Sequence, residues 1–171
     1  MKKHLLAFLF LPLLAFAFDD WISVQLDDRV SINFPSQPMM QESNGNKIWI
    51  KDVSGGRCMA MVIDFAKFGM DSATLATEMN KPESFEQFKT TFLNQVQGAM
   101  LVSEKNSVHE GRRVFEFVIT MGNSQDTSGI NKTYNKNIFV ANKMYSMSFY
   151  ENDKKPQPEL KKKFFNSIKI K

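Results

Sequence analysis

The chain has 171 residues, 43% of them hydrophobic and 23% charged, with one cysteine, Cys58. That balance excludes both a charge-rich disordered polymer and a small fold stapled by disulfides. The formal charge is +4, and two of the positive charges, Lys2 and Lys3, belong to a removable leader, so too little remains to steer the whole molecule to nucleic acid.

Met1 to Ala17 read as a secretory signal peptide: Lys2 and Lys3 at the start, an apolar run from Leu5 to Leu14, and the small-x-small pattern Ala15-Phe16-Ala17. The run falls short of the roughly 20 residues that cross a bilayer, and no later segment approaches that length. The expected organisation is therefore a signal peptide at 1–17 and one domain at 18–171. Such a protein is exported, periplasmic or secreted, with no transmembrane segment after cleavage. No cysteine follows the cleavage pattern, which argues against lipid attachment there.

The domain opens on two alternating stretches, Trp21 to Leu26 and Arg29 to Phe34, the second with Val30, Ile32 and Phe34 on one face. Asn44-Gly45-Asn46 and Ser54-Gly55-Gly56 bracket Lys47 to Val53, so three strands are expected to follow one another as hairpins. In the strand after Gly56, Met59, Met61, Ile63 and Phe65 face one way and Cys58, Ala60 and Val62 the other, the pattern of a central strand covered on both sides. Cys58 is expected to be buried.

Asp71 to Met79 suits a short helix capped by Asp71 or Ser72. A second helix is expected from Ser84, with Gln87 completing a capping box and Phe85, Phe88, Phe92 and Val96 at helical spacing before Gly98. Strands resume at Leu101 to Val108, Arg112 to Met121, Lys132 to Ala141 and Lys143 to Tyr150, with turns at Glu110-Gly111 and Asn142-Lys143 and an exposed loop from Gly122 to Ile130. Pro158 suits a first helical position, Leu160, Phe164 and Phe165 give the last helix an inward face, and Ile168 and Ile170 form a closing strand or tail. The layout is α+β: a mostly antiparallel β-sheet flanked by helices in a single domain.

The residues that carry chemistry are sparse. His4 leaves with the leader, which makes His109 the one candidate base, and no Gly-x-Ser-x-Gly elbow places a nucleophile for it. One histidine and one cysteine cannot build a zinc site rich in those ligands. Asp19, Asp20, Asp27 and Asp28 cluster without the spacing of a calcium loop. Gly55-Gly56-Arg57 and Gly111-Arg112-Arg113 lack the spacing of a phosphate loop and suit hairpin turns. No catalytic, cofactor-binding or metal-ligating residues are assigned. Lys154 to Lys171 holds seven lysines against one acid, Glu159, which reads first as a solvated face and second as a site for an anionic partner.

A leading Trp21, the phrase Val30-Ser31-Ile32-Asn33-Phe34-Pro35-Ser36-Gln37-Pro38, a helix after the first sheet segment and the closing Phe164-Phe165-Asn166-Ser167-Ile168-Lys169-Ile170 together resemble bacterial PsbP-like proteins. The resemblance implies an α/β/α sandwich, shared with the photosystem II extrinsic protein P and Mog-type factors, and a non-enzymatic binding or assembly role. Its motifs mark packing, so no catalytic residue is carried over, and no photosynthetic role is implied.

These observations lead to an expected non-catalytic binding or accessory module whose partner is an envelope protein or a small ligand, held at the sheet edge or in a cleft between sheet and helix, near the Gly122 to Ile130 loop. Two alternatives stand beside it. One is a hydrolase using His109 and a nearby carboxylate. The other is an envelope-surface protein that meets anionic lipid or polysaccharide through Lys154 to Lys163. Nothing in the sequence demands an oligomer.

Overall fold

Alternating apolar and polar residues give two antiparallel sheets in the computed structural model, which describes residues 21–96, 98–121 and 129–171. The expected signal segment at 1–17 and most of the expected loop from Gly122 to Ile130 lie outside the described residues. The strands are β1 (Ile22–Gln25), β2 (Val30–Phe34), β3 (Met39–Ser43), β4 (Asn46–Val53), β5 (Gly56–Asp64), β6 (Ala99–His109), β7 (Arg112–Met121), β8 (Ile130–Val140), β9 (Lys143–Asn152) and β10 (Lys169–Ile170). The helices are α1 (Ser72–Asn80), α2 (Pro82–Gln95) and α3 (Pro158–Asn166).

The larger sheet runs β3-β4-β5-β9-β8-β7-β6 and the smaller β1-β2-β10. The three hairpin strands expected between Asn44 and Gly56 are β3, β4 and β5. β5 is interior, paired with β4 and β9, but β9 is the middle strand, and there every residue from Met144 to Phe149 is buried. On β5 only the face of Cys58 and Ala60 is fully covered, while Met59 and Met61 stay half-buried.

α1 starts as expected, with the Asp71 carboxylate accepting the Thr74 N–H at 2.8 Å. α2 differs. Pro82 occupies its first turn and no side chain caps it, while Ser84 is buried within the helix and donates its hydroxyl to the carbonyl of Glu78 in α1. The missing N–H of proline suits the first turn, so Pro82 outcompeted the capping box and moved the start upstream. The β8–β9 turn falls on Ala141-Asn142, one residue earlier than expected, with Ala141 at φ 53°. Glu110 and Gly111 both take positive φ in the β6–β7 turn.

The large sheet is covered on both faces. On one side Leu75 and Phe85 pack against Phe115, Phe139 and Met144, with the rings of Phe85 and Phe115 4.6 Å apart. On the other, Ile32 and Phe34 from the small sheet and Phe164 from α3 pack against Trp49, Cys58, Tyr145, Met147 and Phe149. The molecule is thus an α+β sandwich with the large sheet as its middle layer.

Side-chain hydrogen bonds fasten the small sheet of this second face to β9 at one end and to α3 at the other. Asp27, in the β1–β2 turn, accepts the N–H groups of Arg29 and Val30 at 2.9 and 3.0 Å through one oxygen. Its other oxygen accepts the Lys143 ammonium at 2.8 Å and the Tyr145 hydroxyl at 2.5 Å, both on β9. At the far end Ser167 accepts the Asn33 N–H at 3.0 Å and donates to the Phe164 carbonyl at 2.7 Å, tying the end of α3 to β2.

Candidate functional site

α3 inherits its position from an amphipathic sequence. Leu160 and Phe164 pack into the core, and the three consecutive lysines at 161–163 fall outside the buried stripe. Lys161 turns back towards the large sheet, where its ammonium meets Glu151 at 3.1 and 3.3 Å and sits 3.3 Å from the centre of the Tyr134 ring. Glu151 is only 4% exposed. It also accepts the Tyr134 hydroxyl at 2.9 Å and the Gln157 N–H at 3.3 Å, just before α3 begins.

Burial alone would raise the Glu151 pKa, but the hydrogen bonds from Tyr134, Lys161 and Gln157 outweigh it and hold the carboxyl below its ordinary value. Burial, and then the hydrogen bond to Glu151 and its charge, push the Tyr134 phenol up to about 12. A buried carboxylate is tolerable when its lone pairs are met by charged and neutral donors, as these are. This network fastens the start of α3 to β8 and β9.

The helix so held overhangs β6, β7 and β8 and leaves a cleft of about 370 Å³. Its apolar lining includes Val118, Pro158 and Phe165, with Tyr134 at the end already occupied by Lys161. Its polar floor is a row in cross-strand register: Lys105 on β6 faces Glu116 on β7, which faces Lys136 on β8. No ion pair within 4 Å joins these three charges among the described residues. Burial lowers the Lys136 pKa; the Glu116 charge opposes that and Lys105 adds to it. The Lys136 ammonium reaches the Phe165 carbonyl at 3.4 Å. Lys162 contributes a further cation from α3.

A shallower groove lies against the same helix, lined by Asn33, Glu159, Lys162, Lys163, Asn166 and Lys169. The lysine-rich end is therefore only partly a solvated face. Lys161 is committed to Glu151, Lys163 lies over the Trp21 ring at 4.7 Å, and Lys162 lines both depressions.

The other sequence candidates sit elsewhere. His109 is the half-buried last residue of β6, opposite Arg112, and the neighbouring Glu110 carboxylate pairs with Arg112 at 3.5 Å. Cys58 is buried, and burial raises its thiol pKa to about 12. Asp27 is committed to its turn and to β9, Asp28 is exposed, and Asp19 and Asp20 lie outside the described residues. Among the described residues no group of three or more His, Cys, Asp or Glu side chains is placed to hold a metal ion. No described helix is long and apolar enough to cross a membrane.

Sequence reasoning missed Lys105, Glu116, Lys136, Tyr134 and Glu151 as site residues. A signal for two of them is present: Glu116 interrupts the face of Val114 and Val118, and Lys136 that of Tyr134 and Ile138. A charge inside an otherwise apolar strand face marks a place where the layer above leaves room.

Two helices on one face of a large antiparallel sheet, with a helix and small sheet on the other, define an α/β/α sandwich. Among solved structures the chain is similar to the solution structure of cyanobacterial PsbP (CyanoP) from Synechocystis sp. PCC 6803, at TM-score 0.58 and 11% identity, over 92% of this chain and 96% of that one. The fold is PsbP-like. A looser likeness, at TM-score 0.36 and 12% identity, covers 83% of this chain and 45% of a crystal structure from Bacteroides thetaiotaomicron VPI-5482. No protein-family model and no curated protein matches the sequence.

Proposed function

We propose that the chain is an exported, non-catalytic accessory module that holds a ligand or partner in the cleft beneath α3. The observation that carries this reading is the cleft itself, in which a row of charges without an ion pair among the described residues and an apolar wall lie under a helix fastened through Glu151. A volume of about 370 Å³ falls within the roughly 300–1,000 Å³ usual for small-molecule sites. The PsbP-like fold supports an accessory rather than a catalytic role, and the Met1–Ala17 pattern supports export.

A photo-crosslinking residue placed at Lys162, beside the cleft, should capture a specific molecule in the native envelope, while the same residue at Thr77, exposed on α1, should not. Identical capture at both positions would overturn the reading. N-terminal sequencing of the exported protein should begin at Phe18; recovery of the uncleaved chain from the cytoplasm alone would remove the export claim.

A second reading rests on the shallow groove, where Lys162, Lys163 and Lys169 lie together. Each lysine near an anionic surface contributes on the order of 1 kcal/mol. Adsorption to anionic vesicles or acidic polysaccharide should then weaken steeply as salt rises.

A further inference from the structure

Resting on the cleft as the binding site, we propose that its ligand is a small organic anion: a carboxylate or sulfonate held by Lys105, Lys136 and Lys162, on an apolar body lying against Val118, Pro158 and Phe165.

The charge balance of the cleft points to this class. Three ammonium groups line it against one carboxylate without an ion pair, Glu116, because Lys161 is already neutralised by Glu151 and the second lining carboxylate, Glu104, is paired with Lys89 at 2.7 Å. Among the described residues the half-buried Lys136 finds one long hydrogen bond, to the Phe165 carbonyl, so a neutral apolar ligand that expelled water would leave its charge poorly matched. An anion supplies the missing partner through a charge-assisted bond. Glu116, between Lys105 and Lys136 in the cross-strand row, stands ready to accept from a hydroxyl or amine and opposes a second negative charge on the ligand. The remaining wall is mostly apolar, which favours a ring or short acyl body over a bare inorganic ion. A burial-lowered Lys136 pKa agrees with this arrangement, since a bound anion would favour the ammonium form that burial disfavours.

Two fluorescent dyes with the same two-ring-plus-phenyl body separate charge from hydrophobicity: 1-anilinonaphthalene-8-sulfonate carries the anion and N-phenyl-1-naphthylamine lacks it. The folded domain from residue 18 onward should bind the sulfonate dye saturably, at one molecule per chain and at least about tenfold more tightly than the neutral dye, the gain expected of a charge-assisted contact. Lys136→Met should remove most of that preference without changing the thermal melt. Ser103→Trp, which plugs the rim from an exposed position on β6, should abolish binding of both dyes. Displacement by 2-naphthoate indicates a ring acid and displacement by laurate an acyl chain, and either supports the proposal.

Equal affinity for the two dyes, both lost in Ser103→Trp, would overturn the anion claim and leave the cleft standing as an apolar site. Failure of both dyes to bind, or binding unaffected by Ser103→Trp, would overturn the cleft reading as well.

Discussion

Glu151 on β9 and Lys161 on α3 meet at 3.1 Å beneath the Lys161–Tyr134 stack, so a single buried carboxylate sets where the last helix lies. The two partners are not equivalent, because the carboxylate is 5% exposed at its side chain and the lysine 18%. Lys161→Met strands a buried carboxylate and should cost about 3 kcal/mol, whereas Glu151→Gln leaves an ammonium nearer to water and should cost about 1–2 kcal/mol. Urea denaturation at neutral pH checks the order; equal losses below about 0.5 kcal/mol for both would show that α3 is held by packing alone.

Asp27 predicts an acid-sensitive fastening of the small sheet. Burial by itself would raise its pKa, but Lys143, Tyr145 and the N–H groups of Arg29 and Val30 outweigh that and lower it from 3.8 to about 2. A carboxyl depressed in the folded state stabilises above its unfolded pKa and loses that contribution as pH falls from about 4 to about 2. The loss should be about 2 kcal/mol, since each tenfold difference in proton affinity between folded and unfolded chain is worth ~1.4 kcal/mol. Glu151, also lowered, adds to the loss in the same direction. Asp27→Asn should be less stable at pH 7 and show a shallower decline in acid, as measured by denaturation midpoints across that range.

Cys58 should behave as a core residue. Its burial and a thiol pKa of about 12 leave almost no thiolate at neutral pH. A disulfide-exchange reagent should react with the native protein only as fast as it unfolds, and at once in denaturant. Rapid native reaction, or a disulfide-linked dimer under oxidising conditions, would contradict the packing around it.

Phe164 joins α3 to β2, its ring edge-on to Phe34 at 5.4 Å and fully buried. Phe164→Ala should cost about 3–5 kcal/mol by cavity formation and weaken dye binding with it, because the helix that roofs the cleft loosens. Phe85→Ala, on the opposite face of the sheet, should cost a similar amount but leave dye affinity unchanged in the folded fraction.

Strand-level detail was legible because alternation is local. Arg112 to Met121 matched its strand end to end, and Pro158 opened the last helix as expected. What depended on distant partners was not. β2 pairs with β10 from the far end of the chain, so the small sheet could not be read from neighbouring turns. The Ser84 capping box was a sound local pattern overridden by Pro82 and by the close approach of α1, whose Glu78 carbonyl took the serine hydroxyl. The cleft was half visible. Lysine enrichment in α3 was plain, but Lys105, Glu116 and Lys136 become one row only through the cross-strand register of β6, β7 and β8, and one site with α3 only when the end of the chain folds back over them.

Binding in the cleft is decided by titrating isotopically labelled protein with 2-naphthoate and following its amide chemical shifts. Shifts concentrated at Ser103–Lys105, Glu116–Val118, Tyr134–Lys136 and the Lys161–Asn166 turn of α3, weakened in Lys136→Met, are the expected result. Shifts centred instead on the α1 groove around Met79 and Arg113, or spread evenly over the surface, would place the binding site outside the cleft.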